Sequence, residues 1–149
     1  MKKLLILLLL IPTLIQAEEF NLVCEGEMLY MSDSTDGHKE KKTMVVKVGE
    51  KSIVIDDWPP YRNRKGKWGL GGTIETNYLK NSELISVYET TRDKPDNKNC
   101  RVVDFTADID RISGVIKREM RETDRCRDKS FFWHSIYRGK CKKQKGNAF

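Results

Sequence analysis

The chain is expected to fold as a single all-β domain, a small antiparallel barrel or sandwich of about eight strands. Three observations predict this. From Phe20 onward, apolar residues recur at every second position or in short runs, with little sustained helical periodicity. Turn-forming residues such as Gly49, Asn81 and Gly114 break these runs at short intervals. All four cysteines, Cys24, Cys100, Cys126 and Cys141, follow a leader of the kind that directs a chain to an oxidising compartment, where small domains are stapled by disulfides.

The leader begins with Lys2 and Lys3, continues through the apolar run Leu4 to Ile11, and passes Pro12 to reach Ala17 before Glu18 and Glu19. A charged start, a short apolar stretch and a small residue at the cut are the three parts of a secretory signal. The expected organisation is therefore a cleavable signal peptide over 1–17 and one disulfide-stapled β domain over 18–149, periplasmic or secreted. Even counted from Leu4 to Ile15, the apolar stretch is well short of the roughly 20 residues a membrane-crossing helix needs, so no membrane span is expected in the mature form. A lipoprotein would need a cysteine directly after a small-residue motif, whereas Cys24 follows Phe20, Asn21, Leu22 and Val23. Cleavage after Ala17 leaves 132 residues, enough for one core, and lowers the net charge from +6 to +4 as Lys2 and Lys3 are lost. That balance is mildly basic and gives no nucleic-acid signature; it fits a well-solvated surface.

Taken in order, Phe20, Leu22, Cys24, Met28 and Tyr30 share one face of a first strand, with Gly26 as a bend or bulge. Ser32 to Lys42 is polar and reads as a loop. Met44, Val46 and Val48 then alternate, as do Ile53 and Ile55, and Gly49 and Glu50 between them predict a hairpin. Residues 56–72 read as a long connection mixing basic and aromatic side chains. Strands resume over 72–78 and 83–91, and the polar loop 92–99 with Pro95 precedes Cys100. Val103, Phe105, Ala107 and Ile109 point one way and Asp104, Thr106, Asp108 and Asp110 the other, giving a buried face and a wet one. Gly114 marks the next turn, after which the chain returns; residues 117–128 also fit a short helix by their charge density. The last strand, Phe131 to Cys141, carries aromatics on both faces, so at least one of Phe131, Phe132, Trp133 and Tyr137 covers something beyond the main core.

Four cysteines allow three pairings. A turn centred near Ile112 would set residue 100 opposite residue 124, within cross-strand reach of Cys126. This favours Cys100 with Cys126, and by elimination Cys24 with Cys141. On the chain-entropy model each bridge contributes about 3 to 5 kcal/mol. No two cysteines have zinc-knuckle spacing, and His38 and His134 stand far apart, so no metal and no cofactor are expected.

Phe20, Leu22, Cys24 and Gly26, then Asp110, Arg111, Ser113 and Gly114 at the late hairpin, then Tyr137, Gly139 and Cys141, resemble a pattern in small exported bacterial β proteins, mostly uncharacterised. The resemblance spans nearly the whole mature chain. It implies a compact antiparallel β domain whose first and last strands are tied by Cys24 and Cys141. Cys100 and Cys126 depart from the pattern as an added staple, and no activity comes with it.

The functional candidates are few. Trp58, Tyr61, Arg62, Arg64, Lys65 and Trp68 combine the residue types of binding hot spots with cations that suit an anionic ligand or an acidic protein surface. The opposing reading is that Trp58 and Trp68 pin the segment to the barrel end. Gly66, Gly69, Gly71 and Gly72 do not make a phosphate loop, which needs a strand-to-helix setting and a Gly-Lys-Ser/Thr finish. His134, with a glutamate and an arginine nearby, could serve general acid–base chemistry in a small hydrolase or ribonuclease, although among Phe132, Trp133 and Ile136 it reads more simply as a packed residue. His38 is a solvated loop residue. Asp104, Asp108 and Asp110 lie too far apart along an extended strand to converge on calcium, and surface salt bridges to Lys117, Arg118 or Arg121 suit them better. Neither a serine nucleophile nor a cysteine one is supported. The leading reading is a non-enzymatic exported protein that binds a partner protein or an anionic ligand, with no specific nucleic acid. The alternatives are the His134 hydrolase and a lysozyme-inhibitor-like protein in a lipocalin-like barrel.

Overall fold

The computed structural model describes residues 19–33, 35–56, 58–68, 72–93, 100–124 and 131–144, without the side chains of Thr35, Asp36, Trp68 and Phe131. The expected signal peptide, the loop 94–99 and Cys126 lie outside the described residues. Among the described residues ten strands follow one another: β1 (Phe20–Ser32), β2 (Thr35–Val48), β3 (Ser52–Ile55), β4 (Tyr61–Arg62), β5 (Arg64–Trp68), β6 (Gly72–Lys80), β7 (Leu84–Arg92), β8 (Arg101–Asp110), β9 (Val115–Asp124) and β10 (Phe131–Lys143).

They form one antiparallel sheet in the order β4-β3-β2-β1-β10-β9-β8-β7-β6-β5. Each strand pairs with the next in the chain except at the step from β4 to β5, and the first and last strands meet where β1 pairs with β10. The two edges, β4 and β5, are separated only by Asn63, so the sheet curls into a nearly closed barrel. Side chains finish the seam: Asn63 Oδ1 accepts the Tyr78 N–H, while Tyr78 OH and Lys80 Nζ donate to the Gly49 carbonyl at 2.9 and 3.3 Å. The all-β expectation holds, and no helix occurs among the described residues.

The alternating apolar positions all turn inward. Val46 pairs with Ile55 and Val48 with Ile53 across the expected hairpin, and all four are buried. With Met28, Met44, Ile85, Val87, Ala107, Ile109 and Ile116 they pack the middle of the barrel. Outward positions carry charge, such as Glu25, Glu27, Lys41 and Lys47 on β1 and β2.

Four expectations are corrected. Ser32 to Lys42 is not a loop: β2 already begins at Thr35 and pairs rung by rung with β1, for example His38 with Tyr30. Its polar side chains hid it, since a hairpin ladder is made by the backbone and needs no apolar face where it rises above the core. The 56–72 connection contains β4 and β5. The helix alternative for 117–128 fails as far as Asp124, because β9 is held between β8 and β10; residues 125–128 lie outside the description. Gly26 is no bulge but sits in register opposite Gly139. A Cβ on Gly26 would lie 2.1 Å from the Arg138 carbonyl oxygen, and one on Gly139 would lie 2.7 Å from both the Glu25 carbonyl and Tyr137 Oη. The pair lets two backbones and the Tyr137 ring occupy one place. Gly139→Ala is therefore expected to lower stability by about 1 to 3 kcal/mol through overpacking, read as a lower denaturant midpoint at unchanged slope.

Cys24 and Cys141 face each other across β1 and β10, Cα to Cα 3.9 Å, and are joined as a disulfide. Cys100 is also disulfide-bonded. The β8–β9 turn has Arg101, rather than residue 100, opposite Asp124, a one-residue offset from the expected register. Gly114 takes φ of 70° in that turn, where a side chain would be strained.

Candidate ligand cavity at the barrel mouth

The packed middle of the barrel does not extend to the end where β1 finishes and β10 begins. There the inward positions enlarge and become amphipathic: Tyr30 on β1, Lys42 on β2, Arg118, Met120 and Glu122 on β9, Trp133 and Ser135 on β10. Together with Trp58 they line a cavity of about 440 Å³. A second cavity of about 160 Å³ lies alongside, bounded by Trp58, Tyr61, Val103, Phe105 and Met120 with a polar rim that includes Glu89 and Arg101. Trp58 and Met120 belong to both.

Trp58 is placed by the turn after β3. Asp56 adopts φ of 51°, a left-handed conformation costly for a residue with a side chain, and three contacts hold it there. Its N–H donates to the Val45 carbonyl at 2.7 Å, its Oδ1 accepts the Val45 N–H at 3.2 Å, and its Oδ2 lies 3.6 Å from Lys42 Nζ. The Trp58 N–H reaches the Ile55 carbonyl at 3.4 Å. The indole remains 51% exposed, at the mouth rather than in the core.

Arg118 is the unexpected member. It lies in phase with Ile116 on β9, between the buried residues Ala107 and Tyr137, and is only 7% exposed. Its guanidinium stands 5.4 Å from the centre of the Phe105 ring, a cation–π contact, and Phe105 in turn stacks on Tyr61 with ring centres 4.5 Å apart. Its Nε is buried with no hydrogen-bond partner, and no carboxylate among the described residues forms an ion pair with it. Burial pulls its pKa below the usual arginine value, opposed by Tyr61, Asp56 and Tyr30. Buried cations are ordinarily paired, because losing hydration without a counter-charge costs several kcal/mol. The surface salt bridge expected of Arg118 is corrected accordingly: the acidic strand face is outside, and Arg118 is inside. Period two could have found it, since Ile116, Arg118 and Met120 alternate in one phase.

The predicted binding residues fare unevenly. Trp58 and Tyr61 do line the cavities, Tyr61 as a buried wall residue. Arg64 is engaged elsewhere: its Nη2 lies 3.0 Å from Glu89 Oε2 and its Nε 3.2 Å from Thr76 Oγ1, which itself donates to Glu89 at 2.6 Å. Lys65 is exposed and 3.7 Å from Glu75, and Arg62 is exposed at the seam. The Trp68 side chain lies outside the described residues.

No family model, curated protein or solved structure matches the chain. The residues themselves therefore carry the functional reading.

His134 does meet a glutamate and an arginine, but on the outer side of the sheet. Its Nε2 lies 2.9 Å from Glu119 Oε1, which also holds Arg121 Nε at 3.1 Å. Burial alone would raise the Glu119 carboxyl, yet the His134 hydrogen bond with Arg121 and Lys117 holds it below the usual value. His134 is 6% exposed and lines neither cavity at the mouth. Asp104 and Asp108 bond to Tyr88 and Ser86, Asp110 caps the turn at Ile112 and Ser113, and no group of three potential ligands for a metal occurs among the described residues.

Two buried phenols mark the interior electrically. Burial, with Glu89 nearby, pushes Tyr61 up to about 12. Burial likewise raises Tyr137 to about 12, and its hydroxyl donates to the Cys24 carbonyl at 2.8 Å. Unfolded tyrosine ionises near 10, so the folded state keeps protons that the unfolded state has released. Stability is thus full below about pH 10 and falls between 10 and 12. An alkaline titration at 295 nm should show these two phenols ionising only in that window, together with loss of structure.

Proposed function

We propose that the chain is an exported, non-enzymatic binding protein whose barrel-mouth cavity takes a small anionic ligand on Arg118. The observation that carries this reading is a buried arginine, Arg118, lining a cavity, with a buried, unpartnered Nε and no carboxylate in ion-pair contact among the described residues. A planar fork of N–H donors is the side chain best suited to receive a carboxylate or similar acid. The setting supports it: the cavity lies within the size range of small-molecule sites, and three aromatic rings and Met120 share its wall with Lys42, Arg118, Glu122 and Ser135. A nearly closed barrel is also a fold that holds ligands in its mouth. Export fits the leader over 1–17 and the Cys24–Cys141 bridge.

The test is calorimetric titration of the oxidised protein with small carboxylates and sulfonates beside their neutral amides. The acids should bind and the amides should not, and Arg118→Gln should weaken the acids by about thirtyfold or more, as loss of a buried charged partner does. Equal binding of acids and amides, or indifference to Arg118→Gln, would remove the reading.

A further inference from the structure

The cavity also specifies how much charge its ligand carries and what is attached to it; this step rests on the anion reading above. Three charged side chains line it, Lys42, Arg118 and Glu122. Lys42 is matched by Asp56 at 3.6 Å, and Glu122 by Arg101 Nε at 2.7 Å. Arg118 is left as the one cation of the lining with no carboxylate in ion-pair contact among the described residues. One negative charge would neutralise it. A second would share the cavity with the Glu122 carboxylate, and like charges repel more strongly in a space of reduced dielectric.

The remaining wall is of another kind. Tyr30, Trp58, Trp133 and Met120 offer ring faces and a flexible thioether, surfaces that bury hydrocarbon and adapt to its shape. Trp58 and Met120 also bound the second cavity, where Tyr61, Phe105 and Val103 continue the apolar lining. A bare inorganic anion would leave both surfaces wet.

We infer that the ligand is a monoanionic amphiphile, with one singly charged acid group on Arg118, an apolar body against Trp58, Trp133 and Met120, and its far end directed to the cavity of Tyr61 and Phe105. The head is selected by charge and the tail by burial. Each methylene that enters should tighten binding by up to about fourfold.

Four probes separate the parts: sodium acetate, sodium octanoate, octanol, and octyl phosphate at a pH where it is a dianion, each titrated calorimetrically into the oxidised protein. Octanoate should bind at least about a hundredfold more tightly than acetate and clearly more tightly than both octanol and octyl phosphate. Arg118→Gln should lose the preference for octanoate over octanol, and Arg118→Lys, which keeps the charge without the fork, should retain part of it. Octanoate no tighter than acetate, with both still dependent on Arg118, would overturn the amphiphile and leave the anion reading standing. Octyl phosphate binding more tightly than octanoate would overturn the single charge. Octanoate and octanol binding alike in wild type and Arg118→Gln would overturn both readings.

Discussion

Arg118→Met is expected to make the protein more stable and to abolish its binding of anions. The two effects have one cause. The guanidinium has given up hydration between Ala107 and Tyr137 without a carboxylate in ion-pair contact among the described residues, and the Phe105 ring with the more distant Asp56 compensates it only in part. Methionine keeps a long unbranched stem, and its sulfur can pack on the same ring. Replacing a buried charge by an apolar residue of similar volume is often neutral or stabilising by about 1 to 4 kcal/mol. For a domain of this size each kcal/mol moves the melting temperature by roughly 3 to 5 °C, so a rise of several degrees by calorimetry is expected. An arginine kept for structure would behave oppositely: a fall in melting temperature on Arg118→Met would make it a clamp on Phe105 and leave the cavity without its reason for charge. Residues kept for function at the expense of stability are a recognised pattern.

Removing the Cys24–Cys141 bridge, as the double serine variant, should cost about 5 kcal/mol. The two cysteines are 117 residues apart in sequence, so opening the bridge frees nearly the whole chain, and the lost restriction on the unfolded state is near the upper end of what one disulfide supplies. Against a typical total of about 5 to 15 kcal/mol, the reduced protein would be marginal at best. The β1–β10 ladder that the bridge clamps would remain as eleven paired rungs from Leu22 to Ser32. The measurement is chemical denaturation of wild type and variant under oxidising conditions. A loss below about 1 kcal/mol would show that the ladder alone fixes the two strands in both states.

The barrel was legible in the sequence wherever one face of a strand met the core. Met44, Val46 and Val48, or Phe105, Ala107 and Ile109, alternate because water lies on one side of them and hydrocarbon on the other. It was illegible where the sheet rises beyond that core. In the first part of β2, Lys39 and Lys41 are exposed and Glu40 answers Tyr30 OH at 2.8 Å, so no hydrophobic rhythm records the strand. The site followed the same division. Trp58 and Tyr61 stood out as aromatics in a segment with no core rhythm. Arg118 did not, because β9 alternates charge with charge: Lys117, Glu119 and Arg121 outside, Arg118 and Glu122 inside. Residue type alone suggested an outer salt bridge for all of them. The burial of Ile116, two positions earlier in phase, separates the two sets. Likewise the basic loop looked like a row of free cations, while Arg64 and Lys65 were already spoken for by Glu89 and Glu75, which are distant in sequence.

The meander gives the folding reaction an order. Eight of the nine ladders join strands adjacent in the chain, each closable by a hairpin or short link on the fast timescales of local pairing. The ninth, β1 with β10, spans the molecule and must wait for the last strand to be made. Until then β1 keeps an unpaired edge, the feature by which one molecule can add to another. Its in-register partner edge belongs to the same chain, so at low concentration closure competes well with association, and crowding before β10 arrives would favour the wrong neighbour. The disulfide at Cys24 and Cys141 then acts as a latch, set only on chains that have closed correctly.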